Sequence, residues 1–184
     1  MKKLVLTLIV LSSISFNAFS QTEEKLVSKK THFKIYSHTA TEDIEANNYK
    51  AVSTLNTVSG DVVFSVPMQS YEFEKSLMQK HYNGKKFLDT KQFPKSKFKG
   101  SITNLSEVDF KTDGVYKVTI EGALSMHGKT NNISEKGSIT VKGTSIVLNT
   151  KMAVTLADFD VAFKDGKPST NIAKDIEVTV VAEY

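Results

Sequence analysis

Apolar and polar positions alternate with period two along most of this chain, in segments broken by Gly, Pro, Asn and Asp. That pattern marks antiparallel strands with one buried face. The clearest run is Tyr116, Val118, Ile120, Gly122, Leu124 and Met126, whose opposite face carries Lys117, Thr119, Glu121, Ser125 and His127. The same alternation appears in Phe33/Ile35, Val62/Phe64/Val66, Phe98/Gly100/Ile102, Ile133/Ile139/Val141, Ile146/Leu148/Met152/Val154 and Ile176/Val178/Val180/Tyr184. With a vaguer candidate from Tyr49 to Val58, the pattern predicts an all-β, antiparallel barrel of about eight strands, the size at which a closed barrel holds one small ligand.

One segment breaks the period. Between Ser70 and Tyr82, the residues Phe73, Leu77, Met78 and Tyr82 fall at helical spacing, and Glu72 and Glu74 suit the first turn of a helix. The spacing predicts one amphipathic helix over about 70–83, with Ser70 as N-cap and Asn83-Gly84 as its stop. Such a helix covers one end of a barrel. Phe73, Leu77 and the neighbouring Phe87-Leu88 are then either a lid touching the cavity's contents or a plug completing the core.

A barrel that holds an apolar chain needs inward side chains that are apolar and do not fill the space. Burying hydrocarbon stabilises by about 0.8 kcal/mol per methylene. Phe33, Phe64, Phe98 and Tyr116, with Ile120, Leu124 and Met126, are the candidate lining. Gly100, Gly122 and Gly137 fall on the same inward register. They read either as residues that make room or as markers of bulges and sharp barrel bends.

Composition and the chain ends set the setting. Met1-Lys2-Lys3, an uncharged run from Leu4 to Phe16 and Ala18-Phe19-Ser20 read as a cleavable leader, residues 1–20, cut after Ser20. The expectation is a periplasmic or secreted protein, with a flexible segment at 21–30 and the barrel domain at 31–184. The leader's apolar run is shorter than a span of about 20 residues, so no integral membrane anchor is expected. Cysteine is absent, so the fold rests on core packing without disulfides. Net charge is +4, falling by two when Lys2 and Lys3 leave with the leader, and there is no arginine. Interleaved lysines and acids without arginine argue against nucleic acid as a partner.

Candidate chemistry is sparse. His127-Gly128 at a strand end reads as a hairpin turn, since no Gly-x-Ser-x-Gly or His-Glu-x-x-His constellation stands beside it. His32 and His38 share a strand face but are too far apart to chelate one ion, so no metal site and no cofactor is expected. Asp158-Phe159-Asp160 and Asp165-Gly166-Lys167-Pro168 read as turns rather than calcium loops.

The stretch from Phe87 to Gly128 carries a more specific signal. Phe87-Leu88-Asp89, Phe93-Pro94-Lys95 and Phe98-Lys99-Gly100 precede a strand ending in Gly122-Ala123-Leu124-Ser125-Met126-His127-Gly128. Their order and spacing resemble the YceI-like family of secreted lipid- and polyisoprenoid-binding proteins. The resemblance implies a lipocalin-like barrel holding one long apolar chain, a carrier and not an enzyme. It implies an isoprenoid or, second, a fatty-acyl lipid as ligand. One departure is Glu135, on the register of Ile133 and Ile139, where the family usually has an apolar residue. It either reaches water at a mouth or faces the cavity with a raised pKa. Two other classes stay open: a solid-cored barrel serving interaction or stress response, and an enzyme of lipid intermediates using Glu135 with His81 or His127. A monomer or weak homodimer fits each.

Overall fold

The computed structural model describes residues 25–161 and 166–184. The leader assigned to residues 1–20, and Asp165, lie outside them. The strands are β1 (Lys25–Val27), β2 (Lys30–His38), β3 (Asp43–Asn48), β4 (Val52–Asn56), β5 (Asp61–Pro67), β6 (Glu72–Phe73), β7 (Lys95–Ile102), β8 (Gly114–Met126), β9 (Lys129–Lys142), β10 (Ser145–Thr155) and β11 (Asp175–Glu183). One short helix, α1 (Ser76–Asn83), lies between β6 and β7.

All pairings are antiparallel, in the order β1-β4-β5-β7-β8-β9-β10-β11-β2-β3-β6. The sheet therefore has eleven strands among the described residues, where the alternation predicts about eight. Lys25–Val27, inside the segment 21–30 expected to be flexible, forms β1 against β4. β3 is rich in polar and charged side chains and β6 is two residues long, so neither carries a period-two apolar signal. The sheet curls strongly: β1 and β2 are separated only by Ser28 and Lys29, yet they pair with β4 and β11 respectively. Ser28 N–H donates to the Ser53 carbonyl at 2.9 Å and Lys29 N–H to the Glu183 carbonyl at 2.6 Å, so this bend touches both flanking strands.

The helix is shorter than its spacing predicts. Met68–Ser70 form a 3-10 turn, and Phe73 pairs with Ala46 as part of β6, which takes it out of the helix. Ser70 is not the N-cap; Lys75 occupies that position without a side-chain cap. Gly84 does end the helix, but at φ −75°, so the stop needs no left-handed residue. With Phe73 removed, the inward stripe reduces to Met78 and Tyr82, one turn apart. Leu77 faces solvent.

Side chains fill one end of the curled sheet. Leu55, Val62, Ile139, Val141 and Leu148 are almost completely buried there. β-branched and leucine side chains at alternate positions pack across this end as they do on a pleated surface with one wet face. Tyr184 closes it, with its hydroxyl on Ser53 Oγ and its backbone N–H donating to the Ile146 carbonyl at 2.8 Å. The opposite end is hollow.

Candidate functional site

The hollow end holds a cavity of about 840 Å³, lined mainly by apolar side chains. That lies high in the range of about 300–1,000 Å³ typical of small-molecule sites. Phe33 on β2, Phe64 on β5 and Phe98 on β7 form an aromatic row along it. The Phe33 and Phe64 rings meet edge to face at 5.5 Å and Phe64 lies 6.4 Å from Phe98. Ile120, Leu124 and Met126 on β8 continue the wall. Phe73 and Phe87 line it near α1.

Four expected lining residues do not. Leu77 is 61% exposed on the outer face of α1. Tyr116 lies toward the other end of β8, where its hydroxyl donates to the Thr112 carbonyl at 2.9 Å and braces the preceding turn. Gly100 and Gly122 sit directly opposite each other across β7 and β8. A Cβ on Gly122 would come within 2.4 Å of Gly100 Cα, and one on Gly100 within 2.2 Å of the Glu121 carbonyl oxygen and 2.6 Å of the Phe98 ring. These glycines serve close strand approach and give the Phe98 ring somewhere to lie; the space they leave is not cavity. Gly137 is of the same kind, with its missing Cβ 2.6 Å from the Asn149 carbonyl oxygen.

At Gly137 the wall divides. The β9–β10 ladder ends at the Gly137–Thr150 pair, while β9 continues against β8 and β10 against β11. Thr150 Oγ1 donates to the Lys136 carbonyl at 3.0 Å at the point of parting. Ile133 and Glu135 on one flank and Met152 and Val154 on the other then face the cavity. A 3-10 turn at Leu156–Phe159 bridges the far end of the split. Asn131 Nδ2 donates to the Asp158 carbonyl at 2.8 Å, and His127 Nδ1 donates to the Phe159 carbonyl at 2.9 Å.

Glu135 thus stands in the cavity wall at the split. Burial among apolar neighbours raises its carboxyl above the ordinary range, and no charged group contributes to that shift. It has no hydrogen-bond or ion-pair partner among the described residues. His127 is not part of the cavity. It occupies the β8–β9 hairpin tip at φ +50°, its ring against Phe93 at 4.6 Å, a structural position in which Gly128 takes the next left-handed residue at φ +77°. The pairing of Glu135 with His127 considered from the sequence is therefore not made. Of the other histidines, His32 bonds Asn47 and His38 bonds Asp43, while His81 lines the cavity rim.

Over the cavity lies an aromatic cluster that joins Phe73, Tyr82 and Phe87, all marked in the sequence, to Tyr71, which was not. Tyr82 on α1 contacts Tyr71, Phe73 and Phe87 at ring distances of 5.5, 5.0 and 6.0 Å. Tyr71 follows the Met68–Ser70 turn and lies outside α1, so the fold and not a shared helix brings it to Tyr82. Burial raises both phenols well above their ordinary pKa, so both keep their protons. This cluster seats α1 and the Phe87–Leu88 turn at the mouth.

What this arrangement can do is bury hydrocarbon. Among the described residues lining it, no hydroxyl, histidine and carboxylate are linked by hydrogen bonds into a catalytic relay.

A family model described as the YceI-like domain matches residues 12–184. Among solved structures, the chain is similar to a polyisoprenoid-binding domain from Saccharophagus degradans implicated in plant cell wall breakdown, at 10% identity and a TM-score of 0.74, covering 88% of this chain and 98% of that one. It is similar to Burkholderia cenocepacia BcnA at 14% identity and a TM-score of 0.68, covering 84% and 96%. The Campylobacter jejuni YCEI protein aligns at 19% identity and a TM-score of 0.60, covering 80% and 87%. At these identities the likeness is one of fold. No curated protein matches the chain by sequence.

Proposed function

The chain belongs to the YceI-like family, and we propose that it is an exported carrier that sequesters an amphipathic lipid, a polyisoprenoid first and a fatty-acyl lipid second. The observation that carries this reading is a curled sheet packed solid at one end and hollow at the other. A packed-barrel interaction module has no use for an apolar void of about 840 Å³. Apolar side chains that face such a space forgo the contacts a filled core provides, and a hydrocarbon tail restores them.

Counting Lys25–His38 as one bent strand, and setting β3 and β6 aside as a flap, the sheet reads as a ring of about eight, the size that encloses a single small ligand. The polyisoprenoid-binding neighbour supports the choice of ligand. The leader at residues 1–20 supports a periplasmic or secreted setting. The mechanism is burial without bond-making: the tail enters beneath α1 and lies against the Phe33–Phe64–Phe98 row.

Thermal unfolding with polyprenols of increasing length tests this. Ligand that binds only the folded state raises the midpoint by mass action. The rise should grow with chain length until the cavity is full. A midpoint indifferent to every polyprenol and to fatty acids would contradict the carrier reading.

A further inference from the structure

An apolar cavity discriminates chains by volume, so its few polar groups decide which head it accepts. Two of them stand together in the lid cluster. Tyr71 and Tyr82 are 4% and 6% exposed, both line the cavity, and their rings lie 5.5 Å apart. Neither hydroxyl hydrogen-bonds to any described residue. Yet neither is sealed in protein, because among the described residues no enclosed side-chain oxygen lacks a partner. For residues this deeply buried on a cavity wall, the open surface of each hydroxyl is cavity. A buried phenol without an acceptor forgoes a hydrogen bond it would have in water, and two such phenols with rings in contact offer the cavity two donors.

The charge environment narrows the acceptor. Burial raises the proton affinity of both phenols, and Tyr71 adds to the rise at Tyr82. Lys80, His81, Lys85 and Lys86 line the same rim but are exposed, whereas the two phenols are buried. An anionic head placed against the two tyrosines would be desolvated without a countercharge, which is costly. A neutral oxygen meets no such penalty.

Resting on the carrier reading above, we propose that Tyr71 and Tyr82 form a head-group site that takes an uncharged lipid oxygen, such as an ester or ketone carbonyl, as acceptor of two phenol hydrogen bonds. The tail then runs from beneath α1 into the aromatic row. Glu135 stands at the β9–β10 split, outside the Tyr71–Tyr82 ring cluster, and is not part of this site.

The test uses the mature protein and three probes of matched chain, methyl palmitate, palmitate and hexadecane, in competition against a fluorescent acyl probe. Wild type should prefer methyl palmitate to hexadecane by roughly tenfold, the sum of two modest hydrogen bonds, and should prefer the ester to palmitate. The Tyr71→Phe/Tyr82→Phe double variant keeps both rings, so it should bind hexadecane as before while its ester preference disappears. If the double variant does not fold, each single variant should lose part of the preference. A preference that survives in the folded variants, or equal binding of ester and hydrocarbon by wild type, overturns the site. Palmitate bound more tightly than the ester overturns its uncharged specificity. Failure of all three probes on wild type refutes the carrier reading itself, an outcome separable from the others.

Discussion

Gly100 and Gly122 face each other across the β7–β8 ladder so closely that a methyl group on Gly122 would sit 2.4 Å from Gly100 Cα. Their inward register suggests cavity space, but the nearest atoms are backbone, which cannot yield as the end of a flexible side chain would. Gly122→Ala should therefore cost about 1–3 kcal/mol or more, as overpacking a close contact does. Chemical denaturation would measure it. A Gly122→Ala protein of unchanged stability with reduced lipid uptake would restore the glycine to the cavity.

Leu124 and Leu77 give opposite expectations from similar side chains. Leu124→Trp puts an indole into the cavity and should abolish uptake of long-chain lipid while the sheet stays folded. Leu77→Ala, on the exposed face of α1, should leave both stability and uptake within experimental error. Ligand titration and circular dichroism on the two variants check the orientation of α1 as well as the position of the void.

Tyr184 seals the filled end, away from the cavity. Removing its hydroxyl in Tyr184→Phe leaves the fully buried Ser53 Oγ without its partner, at a cost of about 1–3 kcal/mol and no change in lipid affinity. Burial pushes the Tyr184 phenol up to about 12, with the Ser53 bond opposing the shift. A raised pKa on this acid favours the folded state while the group is protonated. Its contribution is fully present below the ordinary value of 10.0 and lost as pH rises through about 12. The alkaline loss of stability should be smaller in Tyr184→Phe than in wild type.

Glu135 titrates in the same sense at the acid end. Its folded-state pKa lies above the ordinary 4.5 because burial disfavours the charge, so its protonated form favours folding below that value and the benefit is lost as pH rises through the raised one. Glu135→Gln should match wild type in stability at pH well below 4.5 and exceed it above. Denaturation at two pH values decides this; a variant less stable than wild type at neutral pH would show that the carboxylate has a favourable partner.

Strands whose residues alternate between a dry and a wet face were legible from sequence, and β8 is the plainest case. Phe33, Phe64, Phe98, Ile120, Leu124 and Met126 follow from that alternation and do line the cavity. β3 and β6 were not legible, because their pairing is set by tertiary neighbours rather than by an apolar period. Phe73 illustrates the difficulty: its spacing from Leu77 and Tyr82 mimics a helix, but its backbone is held by Ala46 in β3. Glu135 announced itself as a lone charge on an apolar register. Tyr82 was legible as part of the helical stripe but Tyr71 was not, since only the folded lid brings the two rings together.

The most direct test is native mass spectrometry of the protein purified from its own cells, followed by denaturation and lipid extraction. The account predicts a stoichiometric bound mass that resolves into a polyprenyl or acyl species carrying an uncharged oxygen. An apo mass that stays apo after incubation with polyprenols and fatty-acyl lipids would contradict it and leave the barrel as an interaction module.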